Sequence, residues 1–262
     1  MADPTASGEL TEWRANRLAE LCAEDGWLNL TDRVDLVQGV QTVGSGAGVD
    51  VHISLGPAVL GALELAGDDA SFRPDGWADR QPLVFSAVSD SPPRLILGRL
   101  LLEIHTVEGQ PALRVRDRES PARSQFPGLR HFPTAPAWRL VARWSALAAP
   151  QTRDIGMVGG HSATVSISHV ATFTHAGQHI TLMPTHVKAG KPMFVFRDRT
   201  SLTETYPASR FLFGQVAGKD EIILDFNRAF NPPCAFTGFA ICPLPPPENI
   251  LPFRVEAGEL RP

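Results

Sequence analysis

The sequence has few lysines, few cysteines, a single tyrosine and no long apolar run. Lysine occurs only at Lys188, Lys191 and Lys219, and 24 basic residues against 28 acidic ones give a net charge of −4. Since no basic cluster would neutralise phosphates, we expect no nucleic-acid partner. No apolar run approaches the ~20 residues that span a bilayer, and the first residues lack a signal-peptide pattern. We therefore expect a cytoplasmic protein without a membrane partner.

The scarcity of cysteine excludes a disulfide scaffold, because a chain of 262 residues has only three. Cys234 and Cys242 are too far apart for a zinc knuckle, and no histidine adjoins them. A disulfide and a pair of buried thiols both remain open for them, whereas a nucleophilic Cys234 lacks a neighbouring base. Since no nucleotide-binding motif is present either, we expect no cofactor and no metal site.

One helix is predicted at the N-terminus, over Ser7–Asp25. Its apolar residues Leu10, Trp13, Leu18 and Leu21 recur close to helical spacing. Gly26 follows it, and glycine commonly ends helices.

Short apolar or alternating runs bounded by Gly, Pro, Asp and Ser dominate the rest of the chain, which is typical of antiparallel β-structure. We predict an all-β protein with a helix at residues 1–25, a β-sandwich at 26–118, and an antiparallel β-sandwich or barrel-like unit at 119–262. The seam is placed in the charged stretch Asp117–Ser124. The predicted strands are Val51–Leu55, Leu83–Val88, Leu100–Thr106, Ala112–Arg116, Trp138–Trp144, Ala163–Phe173, His179–Met183, Met193–Phe196, Arg210–Val216 and Glu221–Asp225.

The C-terminal half carries a long ordered set of short motifs. They are Phe132-Pro133, Trp138–Ala142, Phe196–Thr200, Glu204–Tyr206, Arg210–Leu212, Asp225–Asn227, Asn231–Cys234, Cys242–Asn249 and Ala257–Glu259. This set resembles the bacterial family known as domain of unknown function 1684; the N-terminal resemblance is thinner. The family has no established activity, substrate or cofactor. The chain departs from its pattern at Ser201–Thr203 and at Phe230, which leaves room for a specialised role.

Tyr206 is the only tyrosine beside fourteen phenylalanines. A chain that otherwise uses phenylalanine for aromatic volume needs a phenolic hydroxyl at this position. The hydroxyl is either a catalytic donor or general acid, or a structural donor to a backbone carbonyl.

Histidines concentrate within 26 residues. His169 alternates with Ala163, Val165, Ile167, Ala171 and Phe173, so it should point inward, either as a hydrogen-bonded core group or into a ligand cavity. His175 is expected in a surface turn, and His161 follows a Gly-Gly pair. His179 and His186 would meet His169 only if the hairpin brings them together.

Acids, arginines and asparagines accompany Tyr206 and His169. As catalytic residues we select Tyr206, His169, Asp198 and Glu204, and as substrate-binding residues Arg210, Asp225, Asn227, His161 and Phe196. The structural alternatives are an Arg-acid network and asparagines that bond the backbone of turns. Asn231 and Asn249 are further turn candidates.

Two further stretches are interpreted structurally. Glu103 and His105 share one face of a predicted strand and should face solvent. The proline run Pro243–Pro247 either braces the fold or is offered to a partner as a polyproline II segment.

Two kinds of function fit these residues. One is a cofactor-independent enzyme that acts on a small, largely apolar organic molecule by acid-base or electrostatic catalysis, as a cyclase, isomerase or hydrolase of bacterial secondary metabolism. The alternative is a non-catalytic ligand-binding or scaffolding β protein. Because exposed strand edges often pair, a homodimer is the default expectation.

Overall fold

The computed structural model describes residues 4–67, 69–83, 94–107, 109–188 and 190–262. The chain forms two compact units. The C-terminal unit contains Met1–Ala19 and Pro127–Pro262, and the N-terminal unit contains Glu20–Phe126. The predicted domain limits stay a prediction; the division at Phe126 lies just beyond the seam expected from sequence.

The N-terminal helix α1 spans Pro4–Cys22. Leu10 and Leu21 are buried, whereas Leu18 is 37% exposed, so the apolar stripe is narrower than its spacing suggested. Trp13 contacts the ring of Phe230 edge-on, with centroids 6.2 Å apart. This contact lies within the C-terminal unit and packs the first half of α1 against the rest of that unit.

The N-terminal unit is a sandwich of two sheets. Its core joins apolar residues of both sheets, among them Val43, Leu63 and Phe72 from one and Leu102 and Leu113 from the other. The sheet orders are β1-β9-β8-β7 and β3-β2-β4-β5-β6. The elements are β1 Leu30–Asp35, β2 Gly39–Gly44, β3 Val51–His52, β4 Gly61–Ala66, β5 Asp69–Pro74, β6 Gln81–Leu83, β7 Leu95–Leu97, β8 Leu100–Val107, β9 Gln110–Asp117 and α2 Pro121–Gln125.

Glu103 corrects a prediction about β8. It is only 4% exposed, and its carboxylate lies 2.6 Å from Arg116 Nη1 and 3.6 Å from Arg114 Nη1. The indole of Trp27 lies over both guanidinium groups, 5.3 Å and 5.7 Å from their central carbons. The expectation that this face meets solvent was wrong, because the indole and the two arginines cover it.

The C-terminal unit is built on one seven-stranded antiparallel sheet of order β12-β11-β10-β16-β15-β14-β13. Strands β10 and β11 are long, and their pairing shifts register between Ala146 and Gln151. The strands are β10 Arg139–Gly156, β11 Ser162–His175, β12 Gln178–Leu182, β13 His186–Lys188, β14 Lys191–Phe196, β15 Arg210–Val216 and β16 Glu221–Asp225.

The seven-stranded sheet curls around its own apolar face. Alternate residues of β10, β11, β12, β14, β15 and β16 meet in one core, which includes Ala142, Ala171, Leu182, Phe194 and Leu224. β12 and β13 remain the two edges, so the sheet does not close into a barrel. Residues that follow β16, among them Phe226, Leu251 and Val255, complete this core.

The all-β class with an N-terminal helix is confirmed. β15 and β16 match the predicted runs residue for residue, and β8, β9, β11 and β14 match closely. The predicted strand Leu83–Val88 lies outside the described residues after Leu83. Among the described helices, none is long and apolar enough to cross a membrane.

Candidate functional site

A cleft of ≈ 430 Å³ lies at one end of the curled sheet. Trp144 of β10 and His169 of β11 line it, together with Thr185, His186 and Val216. On β10, Leu140, Ala142 and Trp144 alternate onto the inner face, so the indole stands where the apolar core ends. We call this space the Trp144 cleft.

The imidazole of His169 stacks on the indole of Trp144. Their ring centroids are 5.1 Å apart and their planes differ by only 13°. His169 Nδ1 lies 3.0 Å from Ser168 Oγ, and the second ring nitrogen has no partner among the described residues. The stacked pair therefore presents both an apolar ring face and one polar nitrogen.

His186 is the second imidazole of the cleft. Its Nδ1 lies 3.3 Å from Thr185 Oγ1, and the Thr185 backbone N–H donates to Met193 O at 2.8 Å. Burial lowers the pKa of His186 below its ordinary value. The imidazole is therefore neutral near pH 7, and a neutral imidazole can accept a proton.

Arg210 and Asp198 form a buried ion pair inside the C-terminal unit. Arg210 also donates to the carbonyls of Val255 and Ala257. The second Asp198 oxygen accepts from Thr200 N at 2.5 Å and Thr200 Oγ1 at 2.6 Å, capping the short helical turn Arg199–Leu202. Neither residue lines the Trp144 cleft. Phe196, beneath the Arg210 guanidinium, is a fully buried core residue.

The Tyr206 hydroxyl donates to the carbonyl of Cys234, 2.9 Å away. Burial, and after it a hydrogen bond with the Cys234 side chain, raise the pKa of Tyr206 above its ordinary value, so the phenol stays protonated. Tyr206 does not line the cleft that contains His169. The structure thus places the two selected groups in different surroundings.

Glu204 and Asp225 lie outside the Trp144 cleft. Glu204 pairs with Arg254 at the surface, and the hydrogen bond from that guanidinium lowers its pKa. Asp225 lines a separate cavity of ≈ 280 Å³ with Arg139 and Arg228. One oxygen of Asp225 accepts from Asn227 N and Nδ2, at 3.2 Å and 3.0 Å.

Three asparagines each tie distant segments together. Asn227 exchanges two hydrogen bonds with the backbone of Ala135, both 3.1 Å long. Asn231 Nδ2 donates to Leu260 O at 2.7 Å. Asn249 bonds the backbone of Met183 twice and donates to Val195 O, each at 2.8 Å. Their side chains therefore connect segments far apart in the chain, whereas the structural alternative expected them to bond the backbone of their own turns.

The remaining histidines of the cluster are dispersed. His175 stacks on Trp138 with centroids 5.0 Å apart and contacts Phe253 at 4.5 Å, so it is half-buried and not an open surface residue. His179 and His161 are exposed. Among the described residues, no group of three or more His, Cys, Asp or Glu is placed to hold a metal ion.

Of the nine selected residues, only His169 lines the Trp144 cleft. His186 of β13 lines the same cleft. Trp144 was not among the residues selected from the sequence. The alternation of Leu140, Ala142 and Trp144 was the signal that could have found it.

The family model described as Protein of unknown function (DUF1684) matches residues 124–260, just over half of the chain. The chain belongs to this family. No curated protein matches it. Among solved structures, it is similar to the solution NMR structure of an uncharacterized protein from Haloarcula marismortui. The identity is 27%, the TM-score is 0.44, and the match covers 53% of this chain and 79% of that one.

Proposed function

We propose that the C-terminal unit binds a small, largely apolar organic molecule in the Trp144 cleft. The observation that carries this proposal is the indole of Trp144 at the open end of the core, stacked with His169. The cleft volume of ≈ 430 Å³ falls within the range of roughly 300–1,000 Å³ that is usual for ligand pockets. Aromatic walls and a few polar atoms favour a planar ligand with one or two hydrogen-bonding groups.

Binding can be tested with indole as the probe and amide chemical shifts as the readout. We expect the largest shift changes at Ser168, His169 and His186, with a dissociation constant on the order of millimolar for so small a probe. Trp144→Ala should weaken binding at least several-fold. The matched control is His179→Ala, since His179 is exposed on the neighbouring strand β12 and does not line the cleft.

Shift changes confined to another surface, or equal affinities for Trp144→Ala and His179→Ala, would show that the cleft is not the binding site. The wild-type shift map decides this point even if the tryptophan variant folds poorly.

Acid-base turnover of the bound molecule is the second candidate function. It is supported by the two imidazoles in one cleft, each with a hydroxyl at one ring nitrogen. One imidazole can take a proton from the ligand while the other returns one, and no cofactor is required. With a substrate selected among compounds that bind, His169→Ala should lower kcat by about 10²-fold or more with little change in KM. An unchanged kcat would leave binding as the only role of the cleft.

The scaffolding alternative has less support. Pro243 and Pro246 are buried, and Leu244 N donates to Gly156 O at 2.7 Å. The proline run is thus packed against the end of β10, which favours bracing over presentation to a partner.

A further inference from the structure

Two thiols meet in the loop region after β16. Cys234 lies in the short helical turn Pro233–Ala235, and its backbone N–H donates to Cys242 Sγ at 3.3 Å. Neither cysteine is in a disulfide. Cys234 is half-buried, whereas Cys242 is only 2% exposed.

The backbone holds both partners in place. The carbonyl of Cys234 accepts the Tyr206 hydroxyl at 2.9 Å. The carbonyl of Cys242 accepts from Val158 N at 2.8 Å, and the next residue, Pro243, forms an isolated bridge with Met157. The contact between Cys234 N and Cys242 Sγ is therefore held in place, because the loop that carries both cysteines is anchored on both sides.

The two thiols differ in exposure, and the pKa of the Cys234 thiol is lowered, as a thiol that attacks first requires. Hydrogen bonds from Cys242 and Tyr206 lower the pKa of the Cys234 thiol despite its partial burial. A lower pKa gives more thiolate, which is the species that attacks disulfides. Cys234 is also the more exposed of the two, so a small reagent reaches it first.

We propose that Cys234 and Cys242 form a redox-modification site that a small-molecule disulfide, such as oxidised glutathione, converts to an intramolecular disulfide. The Cys234 thiolate attacks one sulfur of the reagent, breaks its S–S bond and releases one thiolate. Cys242 then gives up its proton and attacks the Cys234 sulfur, releasing the second thiolate. The protein loses two electrons, and the reagent gains them with the two protons. This site is separate from the Trp144 cleft and does not depend on the proposed function.

The test is peptide mapping of the full chain after exposure to oxidised glutathione and alkylation of the remaining thiols. No Lys or Arg lies between Arg228 and Arg254, so one tryptic peptide, 229–254, contains both cysteines. We expect that peptide to lose two hydrogens and to resist alkylation until it is reduced. A 229–254 peptide that keeps two alkylatable thiols, or carries only stable glutathione adducts, would overturn the proposal.

Serine variants test the order of attack. Cys242→Ser should accumulate a glutathione adduct on Cys234, and Cys234→Ser should leave Cys242 largely unmodified. Cys22→Ser is the matched control and should oxidise like the wild type, since Cys22 lies on another tryptic peptide, 18–33. An adduct that forms faster on Cys242 of Cys234→Ser than on Cys234 of Cys242→Ser would refute the assigned order. The wild-type map remains decisive where a variant does not fold.

Discussion

Arg210 illustrates, at the scale of one residue, how a charged group becomes structural. It is 1% exposed, and its guanidinium meets Asp198, two backbone carbonyls and the ring of Phe196. Burial lowers its pKa, and the adjacent Asp198 opposes that shift. Removing one partner of a buried ion pair leaves the other charge uncompensated. The free energy of unfolding then falls by far more than a surface ion pair contributes to it.

We predict that Asp198→Asn lowers the free energy of unfolding by ~3 kcal/mol, because Arg210 then keeps its charge without a counterion. Urea unfolding followed by far-UV circular dichroism measures the loss. The control is Glu256→Gln, which removes an exposed partner of Arg254 and should hardly move the midpoint. Equal midpoints for the two variants would contradict a structural role for the buried pair.

Tyr206→Phe removes one hydrogen bond to the Cys234 carbonyl. We predict a loss of about 1 kcal/mol in the free energy of unfolding, which is the usual net value of such a bond. Indole binding in the Trp144 cleft should stay unchanged, because Tyr206 does not line it. If Tyr206→Phe were as stable as the wild type but bound indole more weakly, Tyr206 would belong to the ligand-binding site after all.

At the scale of elements, the C-terminal segment is tied to the stretch before β10 and, by a close backbone approach, to the loop after β16. Phe132 N donates to Gly258 O at 3.0 Å, and Glu259 N donates to Ala229 O at 2.8 Å. Gly258 has φ +79°, and a Cβ there would lie 2.4 Å from the Ala229 carbonyl oxygen. Only glycine satisfies both the backbone conformation and the approach.

We predict that Gly258→Ala lowers the free energy of unfolding by ~3 kcal/mol, combining left-handed strain with a steric clash. Gly177→Ala is the matched control, because Gly177 has φ +76° but nothing within 4 Å of the added methyl group. The control should lose only about 1 kcal/mol, the cost of the conformation alone. If Gly258→Ala and Gly177→Ala lowered the free energy of unfolding by similar amounts, as measured by thermal unfolding, the close approach at Gly258 would contribute nothing to the loss of stability.

At the scale of the whole molecule, each unit contains a histidine held neutral by burial. Burial lowers the pKa of His105 in the N-terminal unit and of His131 in the C-terminal unit from 6.5 to about 4, and nearby Arg114 and Arg14, respectively, act in the same direction. Between these pH values the unfolded chain binds more protons than the folded one. Stability is therefore fully present above pH 6.5 and decreases as the pH falls towards 4.

We predict that the melting temperature drops when the pH is lowered from about 7 to about 4, with His105 contributing at most ~3 kcal/mol and the more exposed His131 less, because solvent screens its interactions. His131→Gln should flatten this dependence, because glutamine does not titrate. His179→Gln, at an exposed position, should reproduce the wild-type slope. A His131→Gln curve parallel to the wild-type curve would show that His131 does not contribute to the acid sensitivity.

Residues near in sequence were easier to place than residues brought together by folding. The alternation around His169 correctly indicated which face of β11 it shares, since the strand period of two is a local property. The same reasoning failed for Glu103, because Trp27 and two arginines cover a face that the strand pattern leaves open. Alternation tells two faces apart but does not tell what lies against each.

The sequence by itself determined the β class, the N-terminal helix, most strands of the C-terminal sheet and the family, because all of these rest on local periodicity, turn residues and short motifs. Only the tertiary structure decided which polar groups meet. It placed Arg210 on Asp198, Tyr206 on the Cys234 carbonyl, and His186 in the same cleft as His169. These contacts depend on how far the seven-stranded sheet curls and on which loops cross its ends. The curvature of the sheet and the paths of these loops arise from packing between residues far apart in the chain. Local sequence patterns therefore do not encode them.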